Sequence, residues 1–224
     1  MRSTVDVGDG LRTEPGVVIG YAGARNADTT LRIGNDAHVR SGSTIYLGSQ
    51  IGDRLSTGHG VVIRESCQIG DDVSIWTNSV VDYGCRIGSR VKIHTNCYVA
   101  QYTELLDGAF LAPGVTIAND LYPGDLDSAR TMSGPLIGEG AQLGVNVTVL
   151  PFVRIGDGAL IGAGSVVTRD IPAGAVAYGN PAQVRGSVED LVAVQDRVEV
   201  DELSASRFRL LRSDLSLHPN GIGR

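Results

Sequence analysis

A chain of 224 residues with 42% hydrophobic and 20% charged side chains has the make-up of one globular domain plus an extension. Its net charge of −6, with no basic stripe in view, argues against a nucleic-acid binder, because neutralising phosphates takes clustered Lys and Arg. Thirty glycines beside three Phe and one Trp point to a core of small aliphatic side chains and a backbone that turns often, which argues against a helical bundle.

The chain opens Met1-Arg2-Ser3-Thr4-Val5-Asp6, without the apolar stretch of a signal peptide, and no apolar run reaches the length of a membrane span. No membrane association is therefore expected. Residues 1–32 hold a partial repeat around Val17, Val18, Ile19 and Gly20 and are expected to cap the first coil of a repeat that begins at Ile33. From Ile33 to Ile117 every sixth residue is aliphatic, with the single exception of Thr57. A second set lies two positions before each of these, from Leu31 to Val115, and is small or aliphatic throughout. Residues two apart on a strand share a face, so both sets can point into one narrow core.

Glycine carries a longer period. Gly34, Gly52, Gly70 and Gly88 lie eighteen apart, which marks one corner of a coil made from three hexapeptides. Three short strands per coil make a triangular prism whose coils stack at about 4.8 Å. The sequence thus predicts an all-β fold, a parallel β-helix over 33–185. Residues 118–135, rich in Pro, Gly, Asp and Ser, interrupt the period and read as a protruding external loop of the kind that often carries function. The repeat then resumes, shifted by two, at Ile137, Leu143, Val149, Ile155, Ile161 and Val167. Beyond it, 186–224 forms a C-terminal extension, in which Val188, Leu191, Val192, Val198, Leu203, Phe208, Leu210 and Leu211 sit among charges. Ser187 is placed to cap a helix there.

All three cysteines, Cys67, Cys85 and Cys97, fall in the inward set and read as buried packing residues. Three thiols cannot all pair within one chain, and a reduced, cytoplasmic setting is the expectation.

The close of the repeats, from Ile161 through Gly162, Ala163 and Arg169 to Pro172, and the following Tyr178-Gly179-Asn180-Pro181, resemble the characteristic ending of the hexapeptide-repeat acyltransferase superfamily. The resemblance covers roughly 30–186. It implies a left-handed helix, a homotrimer, and active sites in grooves between neighbouring subunits. Within that superfamily, Val91-Lys92-Ile93-His94-Thr95-Asn96 and Asn119-Asp120-Leu121-Tyr122-Pro123 look most like the N-acetyltransferases of nucleotide-linked amino sugars. Those enzymes commonly carry Val-Lys-Ile-Gln-Asn-Asn and Thr-Asn-Asp-x-Tyr-Pro-Arg. This chain departs at His94, Thr95, Ala118 and Gly124.

Acyl transfer from a thioester needs an uncharged nucleophile, a route for its proton, and donors for the developing oxyanion. Of four histidines, His218 lies in a polar tail and His38 shows no partner. His94 is the candidate general base and His59, flanked by Gly58 and Gly60, a candidate contact to substrate; polar packing at an interface is the competing explanation for His94. Trp76 lies eighteen residues before His94, is expected in the same column, and is a further candidate contact to substrate. Asn96 matches the family's stretch and is placed with His94 in catalysis, while Asn119, Asp120 and Tyr122 at the loop root are candidate acceptor-binding residues. Turn formation is the alternative for the Asn and Asp side chains. By resemblance the second run is the coenzyme end. Gly144, Gly162, Ala163, Asn180 and Pro181 would line the pantetheine arm of acetyl-coenzyme A, with Arg169 and Arg185 near its phosphates.

No two histidines are five residues apart, as the carbonic anhydrases of this fold require, so no metal site is expected. The reading is acetyl transfer from acetyl-coenzyme A to the amine of an amino sugar, with O-acetylation of a sugar, amino acid or other small hydroxyl, or a non-catalytic scaffold, as the alternatives.

Overall fold

The computed structural model describes residues 4–24, 29–195, 200–202 and 208–210. They divide into two units, Met1–Gly186 and Ser187–Arg224.

The first unit is a left-handed parallel β-helix. Among the described residues its strands, mostly two residues long, assemble into three sheets of eight, ten and eight strands. Strands one coil apart pair in parallel, as Gln68–Ile69 does with Arg86–Ile87 and Ser74–Ile75 with Lys92–Ile93, in an eighteen-residue register. Both inward sets are buried without exception from Leu31 to Ile117. Side chains such as Ile45, Ile75, Ile93 and Leu111 are fully enclosed, each contributing about 1.5–3 kcal/mol relative to exposure. Thr57 fits because its hydroxyl accepts the amide of Arg40 at 2.9 Å.

The small inward residues have a second task. A corner leaves backbone groups outside the sheet ladders, and where the residue two positions before a strand's buried aliphatic residue is Ser, Thr or Cys, its side chain reaches them. Ser79 Oγ donates to the carbonyl of His94 at 2.6 Å and accepts the amide of Cys97 at 3.1 Å. Ser49 does the same with Arg64 and Cys67. The thiols of Cys67, Cys85 and Cys97 donate to the corner carbonyls of Asp82, Ala100 and Ala112. Ser and Cys therefore alternate with Val and Ala at this register because a buried polar atom is tolerated once it is hydrogen-bonded.

The corner glycines turn out to be needed for a different reason from chain reversal. The left-handed residue lies two positions later, at 36 and every sixth residue onward, with φ of 56° at Asp36, 58° at Asn78 and 58° at Asn96. Gly52, by contrast, is required because a Cβ there would sit 2.8 Å from the backbone of Gly70 on the next coil.

Departures from eighteen locate the irregular parts. Thr4–Val7, Arg12–Thr13 and Val18–Tyr21 pair with strands twenty-six residues later, so residues 4–21 form a coil of their own. Leu105 pairs with Ile137, thirty-two residues on, because the chain leaves the corner after Ile117 and returns at Leu136. That excursion holds a short helix, Ser128–Thr131. In the second unit, Ser187 Oγ accepts the amide of Asp190 at 3.2 Å while the Asp190 carboxylate accepts the amide of Ser187 at 3.1 Å, a reciprocal cap on helix Val188–Gln195. Val198, Leu203, Leu211 and His218 lie outside the described residues.

Candidate functional site

One ridge of the prism gathers the principal candidates. Pairing of Ile75 with Ile93, Leu111, Leu143, Ile161 and Ala177 in successive coils aligns the residues that come next in each strand: Trp76, His94, Ala112, Gly144, Gly162 and Tyr178. The His94 imidazole lies on the Trp76 indole, with centroids 4.2 Å apart and planes 12° from parallel, and Phe110 closes its other side at 5.0 Å. His94 is half-buried, and its ring nitrogens make no hydrogen bond among the described residues. Past His94 the ridge drops to small residues. At about 4.8 Å per coil, Gly162 lies roughly 14 Å from His94.

Coil stacking itself demands the glycines. A Cβ at Gly144 would lie 2.7 Å from the amide of Ala163, and one at Gly162 would lie 2.8 Å from Cβ of Tyr178. The same absence of side chains leaves a low track that a slender, extended arm fits. Ala163, Arg169, Asn180 and Pro181 are exposed at this end, and the Arg185 guanidinium sits 5.8 Å over the Tyr178 ring. These groups suit a pantetheine arm and its anionic end chemically.

Asn96 is exposed in the left-handed corner conformation, which accounts for an asparagine there on backbone grounds. Asn78 occupies the same position one coil earlier. His59 lies two coils from the Thr95 position, on the column beside the ridge. Its Nδ1 is 2.7 Å from Ser41 Oγ and 3.8 Å from the Glu14 carboxylate. Glu14 also faces His38 at 3.4 Å, so the histidine without a visible partner in the sequence has one in the fold. The bond from the Ser41 amide, then the two histidines, hold the Glu14 carboxyl below the usual carboxylate range.

Asn119, Asp120 and Tyr122 lie at the other end of the third face from His94. The corner and strand residues from Asn96 to Gln101 separate the two, roughly 16 Å at the rise of an extended chain. A single chain therefore does not bring His94 and the loop root together. Asp120 folds the loop: its carboxylate accepts the Tyr122 amide at 2.8 Å and the Ser128 hydroxyl. Tyr122 is 73% exposed.

A buried polar network under the loop was not singled out in the sequence. Asp82, only 6% exposed, accepts Tyr98 Oη at 2.8 Å, Gln101 Nε2 at 2.7 Å and the Tyr83 amide at 2.7 Å, with Arg64 at 3.6 Å. Arg64 also forks onto the buried Glu65 carboxylate and lies 4.9 Å over the Tyr46 ring. Gln101 Oε1 in turn accepts Asn119 Nδ2 at 2.7 Å. The legible signal is opposite charge at eighteen-residue spacing, which places Arg64 beside Asp82, Arg54 beside Asp72 and Arg86 beside Glu104 on adjacent coils.

Among the described residues no three His, Cys, Asp or Glu side chains converge as a metal site, and no helix is long and apolar enough to cross a membrane.

Comparison with known proteins agrees with this architecture. The bacterial transferase hexapeptide (six repeats) family matches residues 48–82 and 134–169, and the hexapeptide repeat of succinyl-transferase matches 67–101. Galactoside O-acetyltransferase of Lactococcus lactis subsp. lactis (strain IL1403) is 43% identical over 82 residues, 35% of this chain and 40% of that protein. The dTDP-3-amino-3,6-dideoxy-alpha-D-galactopyranose 3-N-acetyltransferase of Aneurinibacillus thermoaerophilus is 51% identical over 53 residues, 24% of this chain and 28% of that protein. The matched segments thus span less than half the length of these curated relatives. The UDP-N-acetylglucosamine acyltransferase from Campylobacter jejuni shares the fold, with a TM-score of 0.55 at 19% identity over 84% of this chain and 79% of that one. The chain thus carries hexapeptide repeats that match bacterial transferase family models over part of its length, and it resembles the hexapeptide-repeat acyltransferases in sequence and in fold.

Proposed function

We propose that the protein is an acetyltransferase that moves an acetyl group from acetyl-coenzyme A to the amine of a nucleotide-linked amino sugar, acting in the cytoplasm as a homotrimer. The observation that carries this reading is the ridge on which a half-buried imidazole, without a hydrogen-bonded partner among the described residues, stands at the head of a track of small residues. Because His94 and the loop root lie at opposite ends of one face, the proposed site takes His94 from one subunit and Asn119, Asp120 and Tyr122 from its neighbour. The ridge would hold the thioester donor with Gly144, Gly162 and Ala163 against the pantetheine arm, and Arg169 and Arg185 near the phosphates.

In that arrangement a neutral amine attacks the thioester carbonyl, a C–N bond forms, and the C–S bond breaks. His94 takes the proton released by the nitrogen and returns it to the departing thiolate. Among the described residues nothing hydrogen-bonds its ring nitrogens, which leaves one available for this. Stacking on Trp76 fixes the plane of the ring, so the edge rather than the face meets the acceptor.

Transfer to a hydroxyl is the second reading, supported by the likeness to a galactoside O-acetyltransferase. A hydroxyl is far less nucleophilic than an amine and depends more heavily on a base. The test is a mass-spectrometric screen of acetyl-coenzyme A with dTDP-3-amino-3,6-dideoxygalactose, galactosides, free amino sugars and amino acids. Acetylated nucleotide sugar is the expected product; product only from the other classes overturns the choice of acceptor. Sedimentation as a monomer at assay concentration overturns the shared site.

A further inference from the structure

The buried network beneath the loop sets a direction as well as a position. An ionised carboxylate only accepts hydrogen bonds, whereas an amide donates from one end and accepts at the other. Asp82 therefore dictates which end of Gln101 faces it: Nε2 donates to Asp82 Oδ2 at 2.7 Å, which turns Gln101 Oε1 outward. Oε1 is then an acceptor, so Asn119 must present Nδ2 to it, at 2.7 Å. The sulfur of Met132, 3.1 Å from the same nitrogen, adds a second weak acceptor on that side. The remaining atom, Asn119 Oδ1, takes no hydrogen bond among the described residues and lies at the root of the loop.

The carboxylate at the head of this chain is well held. Tyr98 and the Tyr83 amide both donate to it, and Arg64 faces it at 3.6 Å. Burial, and then the bond to Asp82, push the Tyr98 phenol up to about 12, so it remains a donor. Every donor around Asp82 thus agrees with the same polarity.

We propose that Asp82 and Gln101 are positioning residues that hold Asn119 with its carbonyl oxygen outward, making Asn119 Oδ1 a built acceptor for a hydrogen-bond donor on the acceptor substrate, an amine or hydroxyl hydrogen. The relay runs across two coils, about 10 Å, and ends in a group that contacts substrate although its origin is a buried acid. The contact to substrate rests on the acetyl-transfer reading; the relay does not.

Asp82→Asn is close to isosteric but brings an amide nitrogen to face Gln101, which must flip, and Asn119 with it. The site then offers a donor where it had an acceptor. The double variant Asp82→Asn with Gln101→Glu restores the original direction, because the carboxylate introduced at position 101 accepts from the amide at position 82 on one oxygen and from Asn119 on the other.

Two measurements on the full-length protein test this. In nitrogen-15 spectra, the Gln101 side-chain amide protons, assigned by their loss in Gln101→Met, should be strongly deshielded by the Asp82 carboxylate, and should shift upfield in Asp82→Asn, where the flip exchanges that acceptor for the neutral amide oxygen of Asn119. With acetyl-coenzyme A and dTDP-3-amino-3,6-dideoxygalactose as probe, Asp82→Asn should raise the KM for the sugar about tenfold, the scale of one hydrogen bond. The KM for acetyl-coenzyme A should stay unchanged, and the double variant should recover most of the loss. A galactoside run in parallel tells whether the recognised donor is an amine or a hydroxyl. Unchanged Gln101 protons in Asp82→Asn, or a double variant no better than the single one at matched melting temperature, overturns the relay. If wild-type protein acetylates no probe, the transfer reading fails and the spectra still decide the relay.

Discussion

The imidazole of His94 lies flat on the indole of Trp76, one coil away, with 4.2 Å between ring centroids. Such stacking is worth about 0.5–1.5 kcal/mol beyond the area it buries, enough to restrict the ring to one orientation. Replacing His94 by Ala is expected to lower kcat for a hydroxyl acceptor by about 10²–10⁴-fold and to cost an amine acceptor much less. Trp76→Ala should leave the base present but unaligned, lowering kcat with little change in KM for acetyl-coenzyme A. Steady-state kinetics with one acceptor of each kind separates these outcomes; equal turnover in His94→Ala and wild type would remove the base from the mechanism.

Ala163 is exposed beside Gly162 on the low ridge, so its side chain can grow without disturbing the core. Ala163→Trp should leave the melting temperature unchanged and raise the KM for acetyl-coenzyme A at least tenfold. An unaltered KM places the donor elsewhere on the prism.

The Ser79 hydroxyl serves the carbonyl of His94 and the amide of Cys97 at once. Ser79→Ala leaves both corner groups without this partner and should destabilise by about 1–3 kcal/mol, where Ser79→Cys should cost less because Cys67, Cys85 and Cys97 fill the same role elsewhere. Thermal melting of the two variants gives the comparison, with about 2–4 °C expected per kcal/mol for a domain of this size. Equal melting points would mean that water satisfies these groups.

Glu14 ties residues 4–21 to the next coils through the Ser41 amide, His59 and His38. Its folded pKa lies below its unfolded value, so the contact is fully present above the ordinary glutamate range and is lost as pH falls through the lower folded value. Exchange of the Ser41 amide should therefore show excess acceleration beginning below about pH 4.3, relative to the chemical rate, and Glu14→Gln should remove that transition. A transition that persists in Glu14→Gln would assign it to another carboxylate.

The three cysteine side chains are buried, at 0–2% exposure. Burial pushes the Cys97 thiol up to about 11, and Cys85 is raised by its neighbour Cys67 and by burial. No thiol should react with a thiolate-specific reagent in the native protein at neutral pH, and all three should react in denaturant. Rapid modification of the native protein would show that the coils open locally.

Much of the candidate ridge was legible. His94 and Trp76 are eighteen residues apart, and the glycines continue the same spacing once the shift caused by the loop is counted. The network under the loop was not, because Arg64, Glu65 and Asp82 occupy outward positions where charge is ordinary. What buries Asp82 is the set of larger side chains folded over it from neighbouring coils, among them Tyr98 and Gln101. Asn96 shows a different ambiguity: a residue type that suggests chemistry stands where the backbone itself favours asparagine, at φ near 58°.

Side-chain period is a local property of an extended chain, so the three-sided column, the inward sets and the place where the loop leaves it can all be read from the order of residues. Which outward residues meet is a property of the corners, where the chain turns and side chains from coils eighteen or more residues apart converge. That Glu14 serves two histidines, that Asp82 orients Asn119 through Gln101, and that His94 stands a full face away from Asp120 emerge once the coils are stacked. Those relations depend on rotamer, burial and hydrogen-bond direction, which no linear spacing encodes.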